Sequence, residues 1–184
     1  GKNRGDLFYS TKEIDGWSKL EDLGKNINNK DTWETGASIS FDKKTLYFVS
    51  DREGGKGKRD IWKSNWDEEK SRWGEATNLS ATINTAYDEV GIFVHPDGKT
   101  FYFSSGGHNS MGGFDIFKTT LNDDGTFETP ENIGFPVNTP DDDVHFVMAG
   151  NGRHGYYSSF KADGYGEKDI YLITFLGEEK IPLM

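Results

Sequence analysis

Apolar positions along the chain fall in short bursts, as in Leu46-Tyr47-Phe48-Val49-Ser50, and Gly, Asn, Asp and Ser separate the bursts. Short aromatic-rich bursts between turn residues predict strands joined by tight turns, and no sustained apolar repeat of 3.6 residues predicts a helix. The bursts recur. Leu46-Tyr47-Phe48-Val49-Ser50 aligns with Phe101-Tyr102-Phe103-Ser104-Ser105 and with Gly155-Tyr156-Tyr157-Ser158-Ser159, at offsets of 55 and 54 residues. A second strand begins at Asp6, Asp60, Asp115 and Asp169, each Asp followed by an aliphatic and an aromatic residue. A third element runs from Trp17, Trp73 and Phe127 into Ile27-Asn28, Ile83-Asn84-Thr85 and Val137-Asn138-Thr139. A fourth opens on an acid, Glu34, Glu89 or Asp143.

A fixed period decides the fold before any single residue does. Four short antiparallel strands in about 54 residues make a β-propeller blade, so an all-β propeller segment is expected, with two full and two incomplete blades. The expected boundaries are a partial blade over 1–29, blades over 30–85 and 86–139, a partial blade over 140–175, and a tail or linker over 176–184. The first unit supplies only its two outer strands and the last only its three inner ones, thirteen strands that leave the ring open. Open strand edges invite pairing with another chain, so self-association is expected.

The acid-led strand, the Pro-Asp-Gly turn at 96–98, the Tyr-Phe-Ser-Ser strand, the Gly-rich loop and the Asp-Ile-aromatic strand together resemble the TolB-type, WD-like propeller repeats. The resemblance covers about residues 5–175 and is closest to blades preceding an OmpA-like, peptidoglycan-binding domain in Bacteroidetes envelope proteins, including the PorE-like component of type IX secretion. It implies a periplasmic, outer-membrane-associated protein that docks other proteins, with peptidoglycan binding left to a neighbouring domain.

Composition narrows the chemistry. A formal charge of −10 repels a phosphate backbone, which excludes nucleic acid as an expected partner. The absence of cysteine removes thiolate and disulfide chemistry. No apolar stretch approaches the roughly 20 residues needed to span a bilayer, and Gly1-Lys2-Asn3-Arg4 is not an apolar leader, so any export signal or anchor is expected outside this sequence. The histidines, His95, His108, His145 and His154, lack zinc-ligand spacing, and no Gly-x-Ser-x-Gly elbow or phosphate-cradling Gly motif is present.

Chemistry is therefore expected on the loops joining the second to the third strand of each blade, and each blade to the next. These loops share one face, and they differ from blade to blade while the strands repeat. The binding candidates are Arg52, Lys58 and Arg59 of the basic 51–59 loop, Tyr87, Asp88 and Glu89, His108 and Asn109, Asp142 and Asp143, and Tyr165. Asp60, Asp115 and Asp169 are expected to be structural, accepting hydrogen bonds from loop amides or from Ser50, Ser105 and Ser159. The acids opening the innermost strands offer oxygens to Ca²⁺, but no dedicated Ca²⁺-loop motif accompanies them and no cofactor is expected. A non-catalytic interaction module is the leading expectation. Its rivals are a propeller glycosidase using Asp88, Glu89 and Asp143, and a carbohydrate-binding surface on Tyr87 and Tyr165.

Overall fold

The computed structural model describes residues 5–162 and 164–176, all in strands, turns and loops. The first unit holds β1 (Phe8–Tyr9) paired with β4 (Glu21–Asp22), and between them a hairpin of β2 (Lys12–Glu13) and β3 (Gly16–Trp17). The first full blade is β5 (Glu34–Ile39), β6 (Thr45–Ser50), β7 (Asp60–Asp67) and β9 (Thr77–Asn78), with β8 (Arg72–Trp73) extending the β7 hairpin. The second is β10 (Glu89–Val94), β11 (Thr100–Ser105), β12 (Asp115–Thr120) and β13 (Glu131–Asn132). The last unit contains β14 (Asp143–Met148), β15 (His154–Ser159) and β16 (Asp169–Thr174). All pairings are antiparallel, and from β5 onward each blade strand pairs with the next, β9 reaching β7 past the short β8, which is the blade topology the repeat predicts.

The turn from first to second strand is built the same way in each of these three units. The Asp42 carboxylate accepts the Lys44 amide, Asp97 accepts those of Lys99 and Thr100, and the Asn151 side chain accepts that of Arg153. Such side-chain acceptors fix a tight turn locally. The residue after each acceptor, Lys43, Gly98 or Gly152, adopts positive φ.

Each innermost strand carries a bulge, and there Gly36, Gly91 and His145 occupy one repeat position, with φ of 55°, 79° and 59°. A Cβ on Gly36 would lie 3.0 Å from the Gly91 Cα, and one on Gly91 would lie 3.0 Å from the His145 Nδ1. The first two inner strands thus touch through backbone at Gly36, where glycine suits both the left-handed conformation and the close approach.

The apolar core lies between blades. Tyr47, Val49, Ile61, Leu79 and Ile83 of the first full blade pack on Ile92, Val94, Phe101, Phe103 and Phe117 of the second. Tyr102, Ile116 and Val137 repeat the contact against Phe146, Met148 and Tyr157 of the last unit. Ring pairs Tyr47–Phe101 and Tyr102–Phe146 bridge the two junctions, with centroids 5.1 and 4.6 Å apart. At both ends the pattern is left uncovered. Ile170 is 80 % exposed whereas its repeat equivalents Ile61 and Ile116 are fully buried, and Tyr156, whose equivalents Tyr47 and Tyr102 are buried, is also exposed beside Val147 and Leu172. Trp17 differs from its equivalent Trp73 in the same way, because no described blade precedes it. An apolar groove of about 600 Å³ opens over Leu46, Trp66 and Trp73, where the first unit lacks described inner strands.

Candidate functional site

The ends of the strands on the loop face carry a polar ladder. In register across each sheet stand Glu34, Ser50 and Asp60, then Glu89, Ser105 and Asp115, then Asp143, Ser159 and Asp169. Asp60 accepts the amides of Lys56 (2.5 Å) and Gly57 (2.8 Å) and the side-chain amide of Asn78 (2.8 Å). Asp115 accepts the Met111 amide at 2.5 Å and the Asn132 side chain at 2.8 Å, and Asp169 accepts the Tyr165 amide at 2.7 Å. These carboxylates organise the loops between second and third strands.

The serines do not serve them. Ser50 and Ser105 instead donate to the inner-strand acids Glu34 and Glu89, at 2.9 and 2.8 Å. Asp143 is one methylene shorter, and Ser159 turns to the Phe160 carbonyl. Behind the ladder Asn84 and Asn138 bracket Ile61 and Ile116, accepting the amide and donating to the carbonyl of each, and so pin the inter-blade connection to the third strand.

Three loops place a nitrogen-bearing side chain over the aromatic pair of the second and third strands, Arg52 and Lys161 two residues beyond the strand-end serine and His108 three beyond it. Arg52 stacks on Phe48 and Trp62, its guanidinium carbon 4.8 and 5.4 Å from the ring centroids. His108 meets Phe103 edge-on and Phe117 at a tilt, with centroids 5.7 and 5.1 Å apart, and the Lys161 ammonium lies over Tyr157 and Tyr171 at 5.6 and 4.2 Å. Cations are attracted to such ring faces. Arg52 goes further: it donates to the carbonyls of Asn26 (3.3 Å) and Ile27 (2.5 Å), to Ser50 (3.0 Å) and to buried Glu34 (3.1 Å). Desolvation draws its pKa below the usual arginine value, partly countered by Glu34. His108 reproduces one of these bonds, donating from Nε2 to the Ile83 carbonyl at 3.0 Å.

This geometry sorts the sequence candidates. Arg52 is an internal clamp rather than a contact residue, because its guanidinium is spent on the blade. Glu89 and Asp143 are fully buried and have no surface to offer a partner or a substrate. Arg59 and Asp88 form a two-pronged ion pair across the first junction, at 3.1 and 2.9 Å, and Asp88 also accepts the Arg59 amide. Asp142 accepts the Phe114 amide across the second junction and pairs with Lys168 at 3.1 Å. Burial raises its pKa, and that amide and the lysine outweigh the effect, so the net shift is downward.

Exposed on the same face remain Lys58, Asn109 and the rings of Tyr87 and Tyr165. Trp33, Met111 and Phe160 join them as exposed apolar side chains that repeat reasoning missed. Trp33 occupies the repeat position of Asp88 and Asp142, so no internal alignment marks it. Open depressions of about 720 and 810 Å³ flank the two junctions, the first beside Lys56, Thr85 and His108, the second beside Gly113, Asp142, Phe160 and Lys168.

His145, at the inner bulge, is held below the ordinary histidine pKa by burial and by the Lys168 charge. Among the described residues no three His, Cys, Asp or Glu side chains come together to hold a metal ion, so the inner-strand acids form no Ca²⁺ donor set there. No helix long and apolar enough to cross a membrane occurs among those residues either.

The fold and its loop face define blades of a β-propeller. The chain is similar to the solved structure of a provisionally assigned TolB from Agrobacterium tumefaciens, with a TM-score of 0.56, 19 % identity, and coverage of 84 % of this chain and 48 % of that one. It spans about half the length of that protein. It is also similar to an endo-arabinase from Bacteroides thetaiotaomicron, with a TM-score of 0.53, 15 % identity, and coverage of 95 % and 72 %. At these identities the likeness is one of fold. No family model and no curated protein matches the chain.

Proposed function

We propose that this chain is a non-catalytic interaction module, a partial propeller of an OmpA-family-like envelope protein, periplasmic and outer-membrane-associated, that docks a protein partner on its loop face. The resemblance of the repeats to those of envelope propellers supports the location and the link to outer-membrane assembly. The observation that carries the function is a division of labour at the strand ends. Every inner-strand acid is buried and occupied in holding its own blade, whereas Trp33, Tyr87, Met111 and Tyr165 stand exposed on the loops of the same face. Aromatic side chains and methionine are enriched where proteins meet. Beside them the 51–59 loop carries the exposed lysines Lys56 and Lys58 on a strongly acidic chain, which suits a partner with an acidic segment.

A glycosidase needs two carboxyls open to substrate, roughly 5 to 10 Å apart. Burial of Glu89 and Asp143 and the ion pairing of Asp88 weigh against that role. The exposed rings of Tyr87 and Tyr165 keep a carbohydrate surface as the second reading. Co-purification from source cells with the variant Lys56→Glu/Lys58→Glu/Tyr87→Ala tests the proposal. Loss of partner capture is expected, while Phe41→Ala/Lys43→Glu on the opposite face leaves it intact. Equal capture by both variants would remove the loop face from the account, and glycan binding abolished by Tyr87→Ala would favour the second reading.

A further inference from the structure

Glu89 is set apart from Glu34, its equivalent in the preceding blade, by what surrounds it. It is fully buried, its Oε1 accepts the Thr85 amide (3.2 Å), the Thr85 hydroxyl (2.8 Å) and the Ser105 hydroxyl (2.8 Å), and its Oε2 has no partner. At the same position Glu34 has the Arg52 guanidinium. In the second full blade the residue two beyond the serine is Gly107, whose missing side chain leaves room only for Thr85, 2.3 Å from where a Cβ would stand. No cation reaches Glu89.

The charged and titratable groups around it confirm the imbalance. Across the junction Asp60 adds a like charge, and Asp115 stands in register two strands along the same sheet. The flanking inner strands open on two further acids, Glu34 and Asp143. Of the neighbouring cations, Arg59 is engaged by Asp88, Arg52 by Glu34, and Lys161 by its tyrosine pair. His108 donates its Nε2 hydrogen to Ile83. A carboxylate buried without a counter-charge is costly, and protonation is the ordinary relief.

We propose that the proton on Glu89 acts as a latch for the loop face: protonated, Glu89 holds the 84–89 connection against the 105–110 loop, and its ionisation loosens both. These two segments carry Tyr87, Asp88 and His108, so the latch sets the order of the docking surface. Its existence is independent of a partner, and only its consequence for docking rests on the loop-face function proposed above. The Glu89 pKa, pushed up to about 7 chiefly by burial, places the change near neutral pH.

Carboxyl NMR titration of the whole chain, with hydrogen exchange at pH 6 and pH 8 corrected for intrinsic rates, tests the latch without any partner. A Glu89 midpoint near neutrality is expected, together with at least a tenfold greater loss of protection at pH 8 in residues 84–89 than in 28–35 around Glu34. Glu89→Gln should abolish that difference, and His108→Gln should keep it. The latch is overturned by a Glu89 midpoint in the ordinary carboxylate range, by equal losses in both segments, or by a response that follows His108. The titration uses the unaltered chain, so it decides the matter even where the Gln variant fails to fold.

Discussion

Replacing Arg52 with alanine separates an internal clamp from a surface cation more sharply than any other single change. The side chain lies on Phe48 and Trp62, satisfies two carbonyls of the connection before β5, and neutralises Glu34, a carboxylate without solvent contact. Removing one partner of a buried ion pair costs about 3–5 kcal/mol, since the remaining charge is left buried and unpaired. An exposed pair would contribute at most about 1 kcal/mol. Urea unfolding at pH 7 should therefore show Arg52→Ala destabilised by at least about 3 kcal/mol. Glu34→Gln in the same background should recover part of the loss, because the orphaned charge is gone, and the double-mutant cycle should give a coupling of 1 kcal/mol or more, on the order expected for contacting residues. A cost for Arg52→Ala below about 1 kcal/mol, with additive effects in the cycle, would show that Arg52 is a solvated loop cation and would refute the clamp.

Three further outcomes follow from the same geometry. Glu89→Gln should act with the opposite sign to Arg52→Ala: the folded-state pKa of about 7 lies above the ordinary 4.5, so wild-type stability falls as pH rises between those values, by roughly 3 kcal/mol, and in unfolding measurements from pH 5 to 8 the variant should lack that fall. Gly91→Ala combines a φ of +79° with a Cβ 3.0 Å from the His145 ring, and a loss of about 2 kcal/mol or more is expected by thermal unfolding, against under about 1 kcal/mol for alanine at exposed Lys118. The open face of the last unit, with Val147, Tyr156, Ile170 and Leu172 exposed, should drive concentration-dependent association in sedimentation experiments, and Ile170→Lys/Leu172→Lys should suppress it.

Much of the fold was legible in the sequence because a propeller repeats its physical needs. An acid at the start of each inner strand, an aromatic in each second strand and an Asp at the start of each third strand marked the pairing register directly. What the repeat could not reveal was what differs between blades. Arg52, Lys58 and Arg59 read as one basic loop, and only the fold shows that the position two beyond Ser50 points inward onto Phe48 and Trp62 while Lys58 stays exposed. A signal was nonetheless present, in that each unit offers an aromatic pair there and two of the three place Arg or Lys beside it. The serine partners were misassigned because Ser50 faces Glu34 on one side and Asp60 on the other, and register alone does not choose between them. Loop amides already fill Asp60, which leaves the hydroxyl to the glutamate. Trp33, Met111 and Phe160 escaped notice because they depart from the repeat, as residues that serve a particular partner are free to do.

Site-specific photo-crosslinking tests the interaction module most directly. A photoreactive phenylalanine analogue placed singly at Trp33, Tyr87, Met111 and Tyr165, and as controls at Phe41 and Lys43 on the opposite face, would be activated in the source cells. The account predicts one discrete protein adduct shared by loop-face positions and absent from the controls. Adducts arising equally from both faces, or only from the controls, would contradict it.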